Sequence, residues 1–385
     1  MLKVFSDFLD KRGQGLPGQP PYDILDSGCG VGVLGVCAAG ALSALPVSFR
    51  LRAQDRDDLS RVFTAHNARR NGFDGECFQA YTEPLLAGPP DCRWDIILTN
   101  IPAKAGRPVL EDFVRRSAAI LKKDGLVFLV AVNTLADFFR SRIAQAGAPL
   151  VREESGKEHT VFVYGRSEAA VERKDSPIIF DENFPQAYPF YIRNRNTYEM
   201  EGLSYRLDTV HGAPDFDSPS AAIQAAAKLT VKLGLSAKLC GKDAAVLVHD
   251  SGQGHFALWL AQYLCGGDFR WVFSGANAVA LAAARSALNA ALPGARASII
   301  PAADISLDRQ RIEAAGRFAL IAFFPEKSPE TAWQGLSGLA APGGIIIAGM
   351  SSVQAERFDR KKPPLLHRLG DLKRKGFRAL AYQVQ

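Results

Sequence analysis

The stretch that most constrains the fold is a glycine-rich turn, Ile24-Leu25-Asp26-Ser27-Gly28-Cys29-Gly30-Val31-Gly32. It has the pattern of a short apolar strand that ends in a carboxylate and continues through three alternate glycines into a helix, predicted from Val33 to Leu42. Glycine lets the backbone turn tightly and approach a ligand, and the amides at the start of the next helix face that ligand. The stretch therefore predicts a strand, a turn and a helix that bind a small molecule, although an ordinary strand-to-helix turn would have the same outline.

Two kinds of binding turn share this outline. The dinucleotide-binding pattern G-x-G-x-x-G/A would place Val33 at its third position, where it fits poorly. The alternative is Asp-x-Gly-x-Gly-x-Gly, and all four positions match, at Asp26, Gly28, Gly30 and Gly32. This pattern resembles motif I of the class I S-adenosylmethionine (SAM)-dependent methyltransferases. The resemblance implies that Asp26 and the turn, with Cys29, receive the methionine end of SAM.

Strand and helix patterns alternate after the turn. The predicted strands of the first part of the chain are Ile24–Asp26, 49–55, 76–81, 94–99, 126–132 and 160–164. Such alternation predicts an α/β fold with a mostly parallel, doubly wound sheet that is covered on both faces. The chain has 385 residues, of which 47% are hydrophobic, so its length predicts about two domains.

The chain also repeats itself. Asp26 and Asp250 are 224 residues apart in similar Asp-Ser-Gly turns, and later matching segments are 223 and 218 residues apart. Nearly equal offsets with elements in the same order predict a duplicated domain. In this alignment the second copy has Phe256 for the third glycine, Ser274 for Asp55 and Phe323 for Asn100. We therefore expect a methyltransferase domain at 1–165, a linker at 166–195, and a degenerate methyltransferase-like domain at 196–385 that serves as scaffold or substrate binder.

Further SAM contacts are expected at the ends of two other strands. In class I methyltransferases a carboxylate at the end of the second strand bonds the ribose hydroxyls, and Asp55 stands in that place. The alternatives for Asp55 are a solvated loop charge or a helix cap. Ala80 and Tyr81, predicted to end the third strand, are candidates to flank the adenine.

The predicted fourth strand ends in Thr99-Asn100-Ile101-Pro102-Ala103-Lys104. The segment resembles the N-P-P-F/Y motif of methyltransferases that act on planar nitrogen. An exocyclic NH₂ is a poor nucleophile because its lone pair is delocalised. The Asn100 side-chain oxygen and the Ile101 carbonyl could each accept one N–H and turn that lone pair toward the methyl group, while Pro102 shapes the turn. Asn100 would then touch both cofactor and acceptor, unless the segment is only a turn.

This segment lacks the aromatic residue of the family motif, because Ala103 stands in its place. Another ring would have to stack on a base, and the candidates are Tyr81 or an aromatic residue of 180–191. That second group interleaves with Arg193 and Arg195 and could also pack one domain on the other.

Other chemistries have little support in the sequence. The six histidines show no metal-ligand spacing, so no metal is expected. The six cysteines include no C-x-x-C pair, which favours a reducing cytoplasm. No apolar run is long enough to span a membrane. A net charge of +6 weakly favours a polyanionic partner.

The tandem arrangement resembles the bacterial ribosomal RNA guanine-N2 methyltransferases of the "methyltransferase small" superfamily. In those enzymes the C-terminal copy is usually the active one, whereas the motifs here predict an active first copy. The resemblance implies SAM as cofactor, ribosomal RNA or a ribosomal subunit as partner, and guanine N2 as acceptor. The alternatives are adenine N6, a protein glutamine amide, or a non-catalytic RNA-binding protein that retains SAM.

Overall fold

The chain divides into two compact units. A computed structural model describes residues 1–12, 21–214, 217–239, 244–250, 252–265, 268–325 and 329–385. The units are Met1–Asp181 and Glu182–Gln385, and their boundary falls inside the segment 166–195 that was expected to be a linker. That segment also contains a short helix and the start of a strand, so only part of it is irregular.

The first unit contains one mixed sheet with helices on it. Its helices are α1 (Leu2–Arg12), α2 (Val33–Ser43), α3 (Asp58–Arg70), α4 (Arg107–Ala119), α5 (Ala136–Gln145) and α6 (Glu168–Glu172). Its strands are β1 (Tyr22–Ser27), β2 (Phe49–Asp55), β3 (Phe78–Thr82), β4 (Trp94–Asn100), β5 (Leu121–Val132), β6 (Leu150–Ser155) and β7 (His159–Gly165). Within the described residues the sheet has seven strands in the order β3-β2-β1-β4-β5-β7-β6. Neighbours from β3 to β5 are parallel, and β7 runs antiparallel to β5 and β6.

The strand order explains where a ligand can bind. In a sheet of this kind, ligands bind outside the carboxyl ends of the strands, where connections leave in opposite directions. Here that point lies between β1 and β4, because β1 leads on to β2 on one side and β4 leads on to β5 on the other. The glycine turn and Asn100 follow these two central strands, so both candidate segments lie at the same edge of the sheet.

Helix α1 differs from the sequence prediction. By sequence, residues 1–20 resemble a short lead-in, and Val4-Phe5-Ser6 resembles the tail of the hairpin that precedes the glycine turn in the methyltransferase small superfamily. Instead Val4 and Phe5 are almost fully buried on a helix, and the Phe5 ring lies edge-on to Phe128 at 5.4 Å. The apolar side chains Val4, Phe5, Phe8 and Leu9 have helical spacing, which is the signal that the hairpin interpretation missed. Residues 13–20 lie outside the described part of the chain.

The second unit repeats the plan of the first. After a hairpin of β8 (Ile192–Met200) and β9 (Leu203–Val210), the helices are α7 (Ala221–Lys232), α8 (Leu235–Lys238), α9 (His255–Tyr263), α10 (Ala278–Ala291), α11 (Arg309–Glu313), α12 (Trp333–Leu339) and α13 (Ser352–Arg360). The strands are β10 (Ala245–His249), β11 (Arg270–Gly275), β12 (Arg296–Pro301), β13 (Phe318–Phe323), β14 (Ala340–Ser351), β15 (Leu366–Arg374) and β16 (Phe377–Val384). As far as its residues are described, the sheet again has seven strands, in the order β12-β11-β10-β13-β14-β16-β15.

This order matches that of the first unit strand for strand. The prediction of two tandem, mostly parallel, Rossmann-like domains is therefore confirmed. None of the helices among the described residues is long and apolar enough to cross a bilayer.

Candidate active site

The glycine turn forms an open surface at the end of β1. The amides of Gly28 and Cys29 both donate to the Gln54 carbonyl, at 2.9 and 3.0 Å, which fixes the turn to the neighbouring strand. Gly28, Gly30 and Gly32 have φ values of +73°, +56° and +86°, in the left-handed region that favours glycine. A Cβ atom on Gly30 would meet nothing within 4 Å, so the backbone there is accessible to a ligand.

Gly32 is required for a different reason. A Cβ atom at this position would lie 3.0 Å from the Thr64 side chain, which is fully buried. The Thr64 hydroxyl in turn donates to the Gly30 carbonyl at 2.9 Å and to the Cys29 sulfur at 3.4 Å. Burial raises the pKa of Cys29, so this thiol stays protonated. Helix α3 therefore supports the turn from behind, and Thr64 is a supporting residue that the sequence analysis did not identify.

Asp26 lies beneath the turn and is fully buried. One carboxylate oxygen accepts the Gly35 amide of α2 at 2.8 Å, while Oδ1 has no hydrogen-bond partner among the described residues. Burial raises the pKa of Asp26 to about 7, and the nearby Asp55 charge acts in the same direction, against the Gly35 hydrogen bond. An unpartnered buried carboxylate oxygen is suited to a cationic or hydrogen-bond-donating ligand group.

Asp55 lies directly beside the turn. Its two carboxylate oxygens accept the amides of Gly30 at 3.1 Å and Asp57 at 2.9 Å. Asp57, not Asp55, caps α3 by accepting the Leu59 amide. The Asp55 side chain is therefore held by backbone groups while remaining partly accessible, and each oxygen keeps a lone pair for a hydroxyl group.

The third strand extends one residue further than predicted. Ala80 and Tyr81 pair with Ala53 and Gln54, and Thr82 is the residue opposite Asp55. The Tyr81 ring is covered by the Arg52 guanidinium, 3.6 Å from the ring centroid. Ala80 and Tyr81 therefore precede the end of the strand rather than forming it.

The loop after β3 contacts the glycine turn. A Cβ atom on Gly28 would lie 3.8 Å from the Leu85 side chain. The loop is held by the buried Gln54 amide, which donates to the carbonyls of Leu85 and, at 2.9 Å, Ala87. No sequence motif pointed to Gln54 or Leu85. An amide side chain immediately before Asp55, near the carboxyl end of the strand, was the available signal for Gln54.

Asn100 lies at the end of β4, beside β1 and β5. Its side chain is exposed, whereas Ile101 is buried and Pro102 is exposed at the start of a short 3₁₀ helix, Ala103–Ala105. The Thr99 hydroxyl donates to the Ser27 carbonyl at 2.8 Å and ties the end of β4 to the end of β1. The structure thus brings the candidate positioning segment to the edge of the sheet that also carries Asp26 and the turn.

A cavity of about 620 Å³ lies beside Asn100. It extends from α2 across β4 and β5 to the turn between β6 and β7, and the start of α1 forms another wall. Its lining residues are Met1, Leu2, Lys3, Leu34, Asn100, Val130, Glu154, Ser155, Gly156, His159 and Val161. This volume lies within the range of about 300–1,000 Å³ that is typical of small-molecule sites.

The second unit presents the same turn with different chemistry. The Asp250 amide donates to the Ser274 carbonyl at 2.9 Å, as the Gly28 amide donates to the Gln54 carbonyl at 2.9 Å. The φ of Asp250 is +54°, in the same left-handed region as Gly28. Asp250 therefore stands in the place of Gly28. The sequence alignment had placed it opposite Asp26. Its neighbour Ser251 lies outside the described residues.

This correspondence corrects the alignment of the two copies. Gly32 and Gly254 both have positive φ and directly precede a helix, so the third glycine is retained and its predicted replacement by Phe256 is wrong. The partners predicted for Asp55 and Asn100 were also each one residue too early. The replacements are Asp26 by Val248, Asp55 by Gly275 and Asn100 by Phe324. At these described positions the second unit has no polar side chain, which agrees with a degenerate domain.

No metal site is present among the residues that the structure describes, since no group of three or more His, Cys, Asp or Glu side chains could hold an ion.

Comparisons with known proteins agree with this geometry. Residues 14–140 match the family model described as "Methyltransferase small domain". The ribosomal protein L11 methyltransferase of Thermosipho africanus (strain TCF52B) is 33% identical over 116 residues, which is 30% of this chain and 39% of that protein. The match therefore spans about two fifths of this relative. The solved structure of T. thermophilus 16S rRNA N2 G1207 methyltransferase (RsmC), in complex with AdoMet and guanosine, has a TM-score of 0.63 and 15% identity and covers 99% of this chain and 91% of that one.

The fold and the family match define the first unit as a class I SAM-dependent methyltransferase domain. Residues 14–140 of this unit match the methyltransferase small family, as the sequence resemblance indicated, and SAM is the cofactor of this class. The matched residues all lie in the first unit, the one that carries Asp26, Asp55 and Asn100.

Proposed function

We propose that this protein transfers a methyl group from SAM to an exocyclic amino group in RNA, with guanine N2 of ribosomal RNA as the favoured acceptor. The observation that supports this most is the position of Asn100. It lies at the sheet edge shared with Asp26, the glycine turn and Asp55, and its side chain lines the adjoining cavity. The site thus has one region suited to SAM and a second, next to it, for an acceptor.

The residues of the first region fit SAM. Asp26 has a buried oxygen without a partner, the backbone at Gly30 is open, and Asp55 is held with lone pairs available for two ribose hydroxyls. Bound SAM supplies an electrophilic methyl group. We assign the methionine end to Asp26, Gly28, Cys29, Gly30 and Gly32, and the ribose to Asp55. Ala80 and Tyr81 remain candidates for the adenine, together with the neighbouring Leu85.

The catalytic contribution of the chain would be mainly positioning. The Asn100 side-chain oxygen and the Ile101 carbonyl would accept the two N–H groups of the acceptor amine. Pro102 has no amide hydrogen to compete for these acceptors, and its φ of −71° suits the turn. Fixing the amine in this way directs its lone pair toward the methyl group and lowers the entropic part of the barrier.

Two observations favour RNA as acceptor. The net charge of +6 favours a polyanionic partner. The T. thermophilus protein is named as an N2 methyltransferase of G1207 in 16S rRNA, and its structure holds guanosine. A cytoplasmic location is part of this proposal and rests on the scattered cysteines.

A protein acceptor is the main alternative, because the relative from Thermosipho africanus is named for ribosomal protein L11. The same asparagine geometry would hold a glutamine amide or adenine N6. A non-catalytic RNA-binding protein that retains SAM is the alternative from outside enzymes.

Methyl transfer from labelled SAM into a cell extract, separated into RNA and protein fractions, distinguishes these cases. We expect label in RNA that is recovered as N2-methylguanosine after digestion to nucleosides. Label in protein alone would contradict the choice of acceptor. No label in either fraction, with SAM bound to the purified protein, would contradict the enzymatic proposal as a whole.

A further inference from the structure

If the acceptor is a base, the proposed acceptor site needs an aromatic platform that the segment 99–104 does not supply. Ala103 is exposed and has no ring. Tyr81, one of the predicted substitutes, is already covered by the Arg52 guanidinium and lies on the far side of β2 from β4. If a planar base enters the cavity, its platform must come from another part of the lining.

The second predicted group of rings is engaged elsewhere. Phe180 belongs to the first unit but does not line the cavity, and the aromatic residues of 184–191 belong to the second unit, where they pack on one another. Phe184 and Tyr191 are buried, and their ring centroids are 4.9 Å apart. These rings therefore have a structural role in that unit.

His159 supplies a ring at the cavity itself. Among the described lining residues it is the one that carries an aromatic ring, and its side chain is exposed. It is the first residue of β7, where Val161 and Val163, on the same face of the strand, pack in the core with Phe5 and Phe128. His159 therefore lies at the end of the buried face of β7, where the core meets the cavity.

The backbone beneath His159 is fixed. The amide of Asn133 donates to the Glu158 carbonyl at 2.9 Å, and its side chain donates to the carbonyls of Gly156 and Lys157 at 3.1 and 3.2 Å. The Thr160 hydroxyl donates back to the Asn133 side-chain oxygen at 2.9 Å. This network ties the β6–β7 turn to the end of β5. Because the backbone of the turn is already held, it loses little conformational freedom when a ligand binds, which favours binding.

We propose that His159 is the stacking platform for the acceptor base, so that the cavity takes a planar nucleobase whose amino group reaches Asn100. This inference rests on the proposed function, because it assumes that the cavity is the acceptor site. His159 takes the place of the aromatic residue that Ala103 lacks. The ammonium group of Lys3, on the same lining, would complement the negative charge of a nucleotide. A glutamine amide, in contrast, would need no such platform.

Three variants test this assignment. His159→Ala removes the ring, His159→Phe keeps a ring without the imidazole nitrogens, and His66→Ala is the matched control, an exposed histidine on α3. Base–aromatic stacking is worth about 1–3 kcal/mol per base, so His159→Ala should raise the KM for RNA about fivefold or more. The turnover number should change little, because stacking is present in both the ground state and the transition state. His159→Phe should resemble the wild type, and the SAM affinity of all three variants should be unchanged.

A binding measurement separates this inference from the proposed function. The dissociation constant of guanosine, in the presence of S-adenosylhomocysteine, requires no methyl transfer. Guanosine binding that is weakened by His159→Ala and retained by His159→Phe supports the inference even if the wild type proves inactive. If the wild type is active and His159→Ala binds guanosine as tightly as the wild type does, the inference is contradicted and the proposed function stands. A His159→Phe variant as defective as His159→Ala contradicts stacking, and methyl transfer confined to protein contradicts a base in the cavity.

Discussion

The two units have the same strand order, but they differ in the polarity of the side chains at the carboxyl ends of their central strands. In the first unit these ends carry Asp26, Asp55 and Asn100, and in the second the same positions are apolar or glycine. Most residues of the two central strands are buried in both sheets. The difference therefore lies in ligand-binding groups and not in the core.

This contrast teaches that the fold does not depend on the polar residues at the sheet edge. A buried carboxylate oxygen without a hydrogen-bond partner costs free energy, and Oδ1 of Asp26 is such an atom among the described residues. In the second unit Val248 occupies that position and is buried beside the apolar residues 245–247 of the same strand. A copy without a ligand to bind can lose its costly polar groups, whereas a copy that binds a ligand keeps them.

The largest expected effect is on turnover. Asn100→Ala should reduce methyl transfer by about 10²–10³-fold, the size typical of removing one aligned polar group from an active site. The side chain is exposed, so the SAM affinity and the melting temperature should remain close to those of the wild type. Single-turnover kinetics and calorimetric SAM titration measure the two quantities. A variant with normal turnover would remove Asn100 from the proposed site.

Phe324, which corresponds to Asn100 in the second unit, should affect stability and not methyl transfer. Phe324→Ala removes a buried ring that lies edge-on to Phe256 at 5.0 Å, and it should cost about 3 kcal/mol or more in the free energy of unfolding. Methyl transfer, measured where both units remain folded, should be unchanged. Loss of transfer without unfolding would show that the second unit contributes to the reaction.

Stability should depend on pH through Asp26. The pKa of Asp26 is about 7 in the folded chain and 3.8 for the ordinary group, so folding favours the protonated form. The free energy of unfolding should therefore fall by about 2 kcal/mol between pH 5 and 7 because of this residue, as the unfolded chain releases its proton first. Asp26→Asn keeps an oxygen acceptor for the Gly35 amide and should remove this part of the pH dependence. Denaturant unfolding of both proteins across this range tests the prediction, and parallel pH profiles would contradict it.

A smaller effect is expected on cofactor affinity. Asp55→Asn should weaken SAM binding about tenfold or more, because hydrogen bonds to a charged group contribute about 1.5–3 kcal/mol. Asp250→Asn is the matched control, since Asp250 looks like a motif I acid in the sequence but stands at the position of Gly28. Calorimetric titration should show weaker SAM binding for Asp55→Asn and unchanged SAM binding for Asp250→Asn. Equal weakening by both variants would contradict the assignment of the SAM site to the first unit.

Much of the first unit could be predicted from local patterns. The strand Phe49–Asp55 was predicted with its observed bounds, and the glycine turn identified the ligand-binding edge of the sheet. Features that depend on tertiary contacts could not be predicted in this way. The helical spacing in α1 was overlooked because a resemblance suggested a hairpin, and His159 reaches the cavity only because β7 folds back beside β5.

The repeat shows the same limit. Asp250 and Asp26 stand in similar sequence motifs. The φ values and hydrogen bonds of the two turns show that Asp26 corresponds to Val248, two residues before Asp250. The sequence predicted the duplication and the loss of polar groups correctly, while the exact replacements required the structure.

The most direct test of the central claim is to locate bound SAM along the chain. Labelled SAM can be cross-linked to the wild-type protein with ultraviolet light, and the labelled peptides can then be identified by mass spectrometry. We predict one cofactor per chain, with label in peptides from residues 22–100. Label in peptides from residues 245–325, or two cofactors per chain, would contradict the assignment of the active site to the first unit.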